Sequence, residues 1–355
     1  MQNQTSTAEG GPNWVEFLTG CGLEPGLTDP KTCGTQLWDF AFGGADISTE
    51  WLPLHHPYTT SFVNQTRQFA EYGDPALSSS DQIPDKDDAL VAVWMGINDI
   101  NDSADGELVP AGMSFPEFYK NLQETLFEAL ERNVFAKGYR KFLFVTLPPL
   151  DRTPGNVERE ESQRLPNATM VGWFNDALRS QAEAFQARHG RRERVEVMIY
   201  DSTTFLNHVL DVPEEFGIKN TTDYCRAYDQ PYVDTDPGQY GCQPLDEFLY
   251  VLSFFPTSPL SLPPTKSYQA ININLTLLAI QLVQYGSHDK PYPRRPRQGH
   301  VEIPDGAGRG TEAPAGREGV RKEERMVMVG PWLVKLINLS PMDRTRRYKQ
   351  LELRQ

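Results

Sequence analysis

Long apolar runs are missing from this chain of 355 residues. No window reaches the roughly 18 uninterrupted apolar residues of a membrane helix, so no span is expected. The start, Met1-Gln2-Asn3-Gln4-Thr5, lacks the basic and apolar regions of a secretory leader. Positive charge is short, with 34 Lys and Arg against 48 Asp and Glu. An acidic body repels nucleic acid and suits a neutral ligand, so no nucleic-acid partner is expected. The four cysteines include no Cys-x-x-Cys spacing and the six histidines are scattered, which argues against a zinc centre. No Gly-x-Gly-x-x-Gly or Walker-type loop occurs, so nucleotide binding is not indicated. Neither metal nor cofactor is expected.

What is present divides the chain. Residues 1–260 carry a balance of −21 and residues 261–355 one of +7, a reversal that does not suit a single domain. Asn-x-Ser/Thr sequons at Asn3, Asn64, Asn101, Asn167, Asn220, Asn274 and Asn338 fit an exported protein. Four cysteines allow the local pairings Cys21 with Cys33 and Cys225 with Cys242; four buried free thiols are the alternative.

Short apolar runs at 37–41, 89–95, 141–147 and 195–200 are bounded by turn residues, as buried parallel strands are. Helical patterns alternate with them. Phe118, Leu122, Leu126 and Leu130 repeat every four residues across 115–135, after Ser114 as a start signal. Phe174, Leu178 and Phe185 mark a helix over 171–188 that ends near Gly190, and a shorter helix is expected over 202–209. Such alternation implies right-handed crossovers and a parallel sheet covered on both faces. Segments 46–83 and 217–243 read as long surface loops able to wall a cleft, where Trp51, Tyr58, Tyr224, Tyr228 and Tyr232 can stack on sugar rings or pack their own loops.

Chemistry belongs at the carboxyl ends of such strands. Two segments end there on glycine. Asp39-Phe40-Ala41-Phe42-Gly43-Gly44-Ala45 offers exposed backbone N–H groups, and Trp94-Met95-Gly96-Ile97-Asn98-Asp99 offers a carboxamide just past a strand. Both are donor types that stabilise the oxyanion of acyl transfer, although Gly-x-Asn-Asp is also ordinary turn chemistry.

Together with Gly10-Gly11-Pro12-Asn13-Trp14-Val15 and Leu147-Pro148-Pro149, these segments resemble the SGNH (GDSL-type) hydrolases, most closely the fungal secreted carbohydrate acetyl esterases. The resemblance covers about residues 10–250. It implies a three-layer α/β/α sandwich with a mostly parallel, flavodoxin-like sheet. It also implies an oxyanion hole of Gly44 and Asn98 supported by Gly43, Gly96 and Asp99, a small acyl-ester or acetylated-saccharide substrate, a monomer and an extracellular location.

Two parts that the resemblance calls for are not found. No Gly-Asp-Ser block supplies a nucleophile, so the first strand is expected to be missing, and Asp201-Ser202 is not a substitute because it follows a late strand. After Cys242 to Tyr250 the match stops, and Val251 to Pro264 hold neither Asp nor His where an Asp-x-x-His-Pro segment belongs. His55, His56, His208, His288 and His300 are poor bases by their surroundings. The expected organisation is an incomplete hydrolase domain over 1–250 and an irregular basic tail over 251–355, arising from intron read-through, a frameshift or a genuine tail. The expected function is an ester-hydrolase lineage that is inactive as the chain stands; the alternative is a non-catalytic descendant that binds glycan or protein.

Overall fold

Each apolar run becomes a strand of one sheet. A computed structural model describes residues 2–3, 14–24, 26–79, 85–227, 230, 232–233, 235–250 and 335–338. Its strands are β1 (Gln2–Asn3), β2 (Leu27–Thr28), β3 (Gln36–Asp39), β4 (Ala89–Val93), β5 (Lys141–Val145), β6 (Glu196–Tyr200) and β7 (Lys335–Asn338). The α-helices are α1 (Trp14–Thr19), α2 (Phe62–Gln68), α3 (Asp74–Ser79), α4 (Ile97–Ser103), α5 (Phe115–Asn133), α6 (Pro154–Val157), α7 (Ala168–Glu193) and α8 (Ser202–Asp211). β1 and β2 pair separately, antiparallel; the main sheet runs β3-β7-β4-β5-β6, with β4, β5 and β6 mutually parallel.

All five residues of β4 are buried, so both faces of the sheet are covered. On one face Val91, Val93, Phe142 and Phe144 meet Phe118, Leu122 and Phe127 of α5 and Phe174 and Phe185 of α7. Phe127 lies 4.7 Å from Phe144 and Phe185 lies 5.2 Å from Phe142, ring centre to ring centre. Each such fully buried ring contributes about 1.5–3 kcal/mol by leaving water. α5 begins where its start signal stands: the Ser114 side chain accepts from Glu117 N at 3.4 Å, and Pro116 sits in the first turn.

The structure departs from the sequence reading in three places. Segment 46–83 is not a plain loop. It contains α2, a π-helical stretch at Phe69–Gly73 and α3, which bury Phe62, Phe69 and Leu77 against the core. The helix expected to stop near Gly190 runs to Glu193, with Arg194 at φ +56° closing it. Gly190 instead makes room: a Cβ there would lie 2.3 Å from Gln186 Nε2, whose amide accepts from Val197 N at 2.8 Å and donates to Val195 O at 2.9 Å. The glycine lets one side chain tie the helix end to β6.

The third departure concerns the expected missing strand and irregular tail. β7, from the basic tail, lies antiparallel between β3 and β4, with Asn338 opposite both Gln36 and Ala89. Two facing parallel strands leave rows of N–H and C=O groups that need partners, and the extended tetrapeptide Lys335–Asn338 supplies them. The remainder of 251–355 and residues 10–13 of the Gly10-to-Val15 motif lie outside the described residues.

Two disulfides are formed, Cys21 to Cys33 with Cα atoms 5.3 Å apart and Cys225 to Cys242 with Cα atoms 5.5 Å apart. The second crosses the 217–250 segment, whose own core is little more than Cys225, Val233 and Phe248. A cluster that small does not hold a loop by itself. Replacing Cys225 and Cys242 together by serine is expected to release this segment to protease within 226–241, at a cost of roughly 3 kcal/mol for a loop of this length. Limited proteolysis that still spares the segment would contradict that assignment.

Candidate functional site

The carboxyl ends of β3 and β4 are drawn together by the first turn of α4. β4 leaves the sheet through Trp94 and Met95, and Gly96 turns the chain into α4 with φ +117°, a conformation open to glycine. One turn of helix then presents two side chains to segment 45–47. Asn98 Nδ2 donates to Ala45 O at 2.9 Å, and Asp99 Oδ1 accepts from Ile47 N at 2.9 Å. Between those two clamps, Asp46 O accepts from Phe62 N at 2.9 Å. The carboxamide of Asn98 therefore sits against the residue that follows Gly44.

Gly44 has φ +75° and is half-buried, while Gly43 is exposed. His55 and Thr59 flank Gly44: a Cβ added there would meet His55 Cβ at 3.9 Å and Thr59 Oγ1 at 4.0 Å. Asn98 is half-buried too, and it spends one of its two amide hydrogens on Ala45. Two donor types thus lie beyond the ends of β3 and β4, both half-buried.

The same corner holds a group of acids of which the sequence reading named only Asp99. Asp46 is 2 % exposed and neither of its carboxylate oxygens has a partner. Asp99 is fully buried, with Oδ1 bonded and Oδ2 without a partner. One turn after Asn98, Asp102 Oδ2 lies 2.9 Å from His55 Nδ1. Burial, reinforced by the charges of Asp99 and Asp102, pushes the Asp46 carboxyl up to about 9. Burial also raises Asp99, against the lowering effect of the Ile47 backbone N–H. His55 was dismissed from sequence as an isolated loop histidine. Its pairing with Asp102 has no local signal, because 47 residues separate them.

Elsewhere the strand ends are committed to structure. Ser202 is buried, and its hydroxyl donates to Thr146 O. Leu147 N donates to Asn175 Oδ1 at 2.8 Å, and Asn175 Nδ2 donates to Thr203 Oγ1 at 2.8 Å. Arg179 pairs with Asp201 at 2.8 Å. The network fastens β5 to α7 and α8 and leaves no activated serine there. Among the aromatics considered for sugar stacking, Trp51 packs edge-on against Phe118 and donates to Thr125 Oγ1. Tyr58 is exposed but stacks on His56, and Tyr232 is exposed; Tyr228 lies outside the described residues. His208, on α8, meets the ring of Phe216 just beyond that helix, and His288 and His300 lie outside the described residues. No described helix is long and apolar enough to cross a membrane.

Sequence comparison places known proteins beside this geometry. The profile of GDSL-like lipase/acylhydrolases matches residues 7–252. An acetylesterase of Thermothelomyces thermophilus is 30% identical over 220 residues, a stretch that is 61% of this chain and 66% of that protein. The chain thus matches just under two thirds of its relative's length.

Proposed function

The chain belongs to the GDSL-like lipase/acylhydrolase family, and from that membership we propose that the corner of Gly44 and Asn98 is an oxyanion site for a small acyl ester. The observation that carries the reading is the 2.9 Å bond from Asn98 to Ala45 O, which holds the carboxamide beside the Gly44 peptide. Gly96 and Asp99 set that geometry, the one by its turn and the other by its bond to Ile47 N. Similarity to an acetylesterase supports an acetyl group as the acyl part, and the acidic body suits a neutral acetylated saccharide as the alcohol.

The chain as it stands is proposed to bind such an ester without turning it over. No Gly-Asp-Ser occurs among its 355 residues, and Ser202 is tied to Thr146 O. An oxyanion site without a nucleophile stabilises a charge that never forms. The family match ends at residue 252, near Tyr250, but β7 from beyond that point pairs with both β3 and β4, so the two regions share one sheet. Export through the secretory route is supported by the two disulfides, which persist in oxidising compartments.

Purified protein is expected to hydrolyse p-nitrophenyl acetate no faster than buffer, yet to bind an acetylated oligosaccharide by calorimetry. Asn98→Ala is expected to weaken that binding. Hydrolysis above background that falls roughly 100-fold in Asn98→Ala, the usual cost of one oxyanion donor, would uphold the site and overturn the inactivity. Neither binding nor hydrolysis would overturn the ester reading, and binding of unacetylated glycan with Asn98→Ala unaffected would favour a non-catalytic binding protein.

A further inference from the structure

We propose that Asp46, His55 and Asp102 form a binding site for a divalent first-row cation such as Zn2+. They are the one group of three His, Cys, Asp or Glu residues among the described residues whose ligand atoms all lie within 4.8 Å of one another. The sequence pointed to no metal because the three ligands come from a strand-end turn, a loop and a helix, with none of the short spacings that mark a zinc site.

Three features separate this cluster from a chance meeting of acids. Asp46 is 98 % buried in effect, at 2 % exposure, and both oxygens lack a partner. A buried carboxylate in that condition calls for a proton or a cation. Its position is also fixed, since the backbone of 45–47 is bonded to Asn98, Asp99 and Phe62 on either side of it. Finally, the negative charge is not balanced. Among the described ion pairs His55 is the partner of Asp102, and none joins a lysine or arginine to Asp46 or Asp99.

The donor set selects the ion. One imidazole nitrogen with two carboxylate oxygens offers zinc three ligand atoms of types it takes, with a fourth position left open. Imidazole disfavours Ca2+ and Mg2+, which prefer all-oxygen shells. A cation would take the place of the proton between His55 Nδ1 and Asp102 Oδ2, now 2.9 Å apart, a gap close to the separation of two ligands on one ion. The site stands on its own ligands whether or not the neighbouring corner handles esters.

The test is titration of chelator-treated full-length protein with ZnCl2, followed by calorimetry and melting, with MgCl2 as the comparison. Saturable 1:1 binding and a raised melting temperature are expected with Zn2+, and little response with Mg2+. Asp46→Asn, His55→Ala and Asp102→Asn, each checked for native circular dichroism, should each weaken Zn2+ at least about tenfold. Co2+ in place of Zn2+ should give visible absorption that Asp46→Asn abolishes. Absence of saturable binding up to millimolar Zn2+ would overturn the site. Undiminished binding in all three variants would do the same, since the ion would then lie elsewhere.

Discussion

Gly96→Ala is expected to unfold the protein, or to cost on the order of 3 kcal/mol or more where it still folds. The added Cβ would fall 2.1 Å from Phe174 Cζ and 2.3 Å from its Cε1. Phe174 has nowhere to retreat: it is fully buried, and Tyr119 packs edge-on against it at 5.4 Å. The backbone adds its own penalty, because φ +117° is outside what an alanine adopts without strain. Gly44→Ala is the instructive contrast. At that position the nearest atom to a new Cβ is 3.9 Å away, so only the φ of +75° is at stake, worth about 1 kcal/mol. Denaturant melts of the two variants should differ widely, and a wild-type midpoint for Gly96→Ala would refute the close packing of α7 on the start of α4.

The second large effect runs the other way. In chelator-containing buffer, Asp46→Asn is expected to stabilise the protein by on the order of 3 kcal/mol at pH 8, a rise of roughly 5–10 °C in melting temperature for a domain of this size. Asp46 is buried beside Asp99, whose burial is complete, and Asp102, with only the His55 imidazole to offset them. Asp46 is raised from 3.8 to about 9, so the folded state holds a proton that the unfolded chain releases near 4. Stability from this group is therefore full below about pH 4 and is lost as pH rises towards 9. The advantage of Asp46→Asn should grow across that window. A difference that stays flat from pH 5 to 9 would show that Asp46 is not charged at the cost proposed.

Strand positions were legible because a strand buried on both faces is apolar along its length, and 89–93 and 142–145 are such runs. α5 was legible from its fourfold spacing and its Ser114 start. α2 and α3 were not. They are short and interrupted by a π-helical stretch, and α2 buries Gln65 and Thr66 beside Phe62, so no clean apolar period marks it. Gly190 misled because a glycine near a helix end suggests a stop, whereas its role is to admit the Gln186 side chain.

At the site, Gly44 and Asn98 could be chosen because each follows an apolar run on a motif with known chemistry. Asp46 and Asp102 could not, since aspartate in a turn or on a helix is ordinary and only closure of β3 against α4 turns them into neighbours. His55 shows the same limit from the other side. Its surroundings in sequence are loop-like, and its partner lies across the corner on α4.

The antiparallel strand between β3 and β4 has a consequence for how the molecule is made. Gln36 and Ala89 both wait for Asn338, so during synthesis the centre of the sheet stays open until residue 338 has left the ribosome. Pairings between such distant partners form slowly. Meanwhile the two facing edges are exposed templates for any extended peptide. A nascent chain of this design keeps that gap open to a neighbour's strand until its own distant segment arrives.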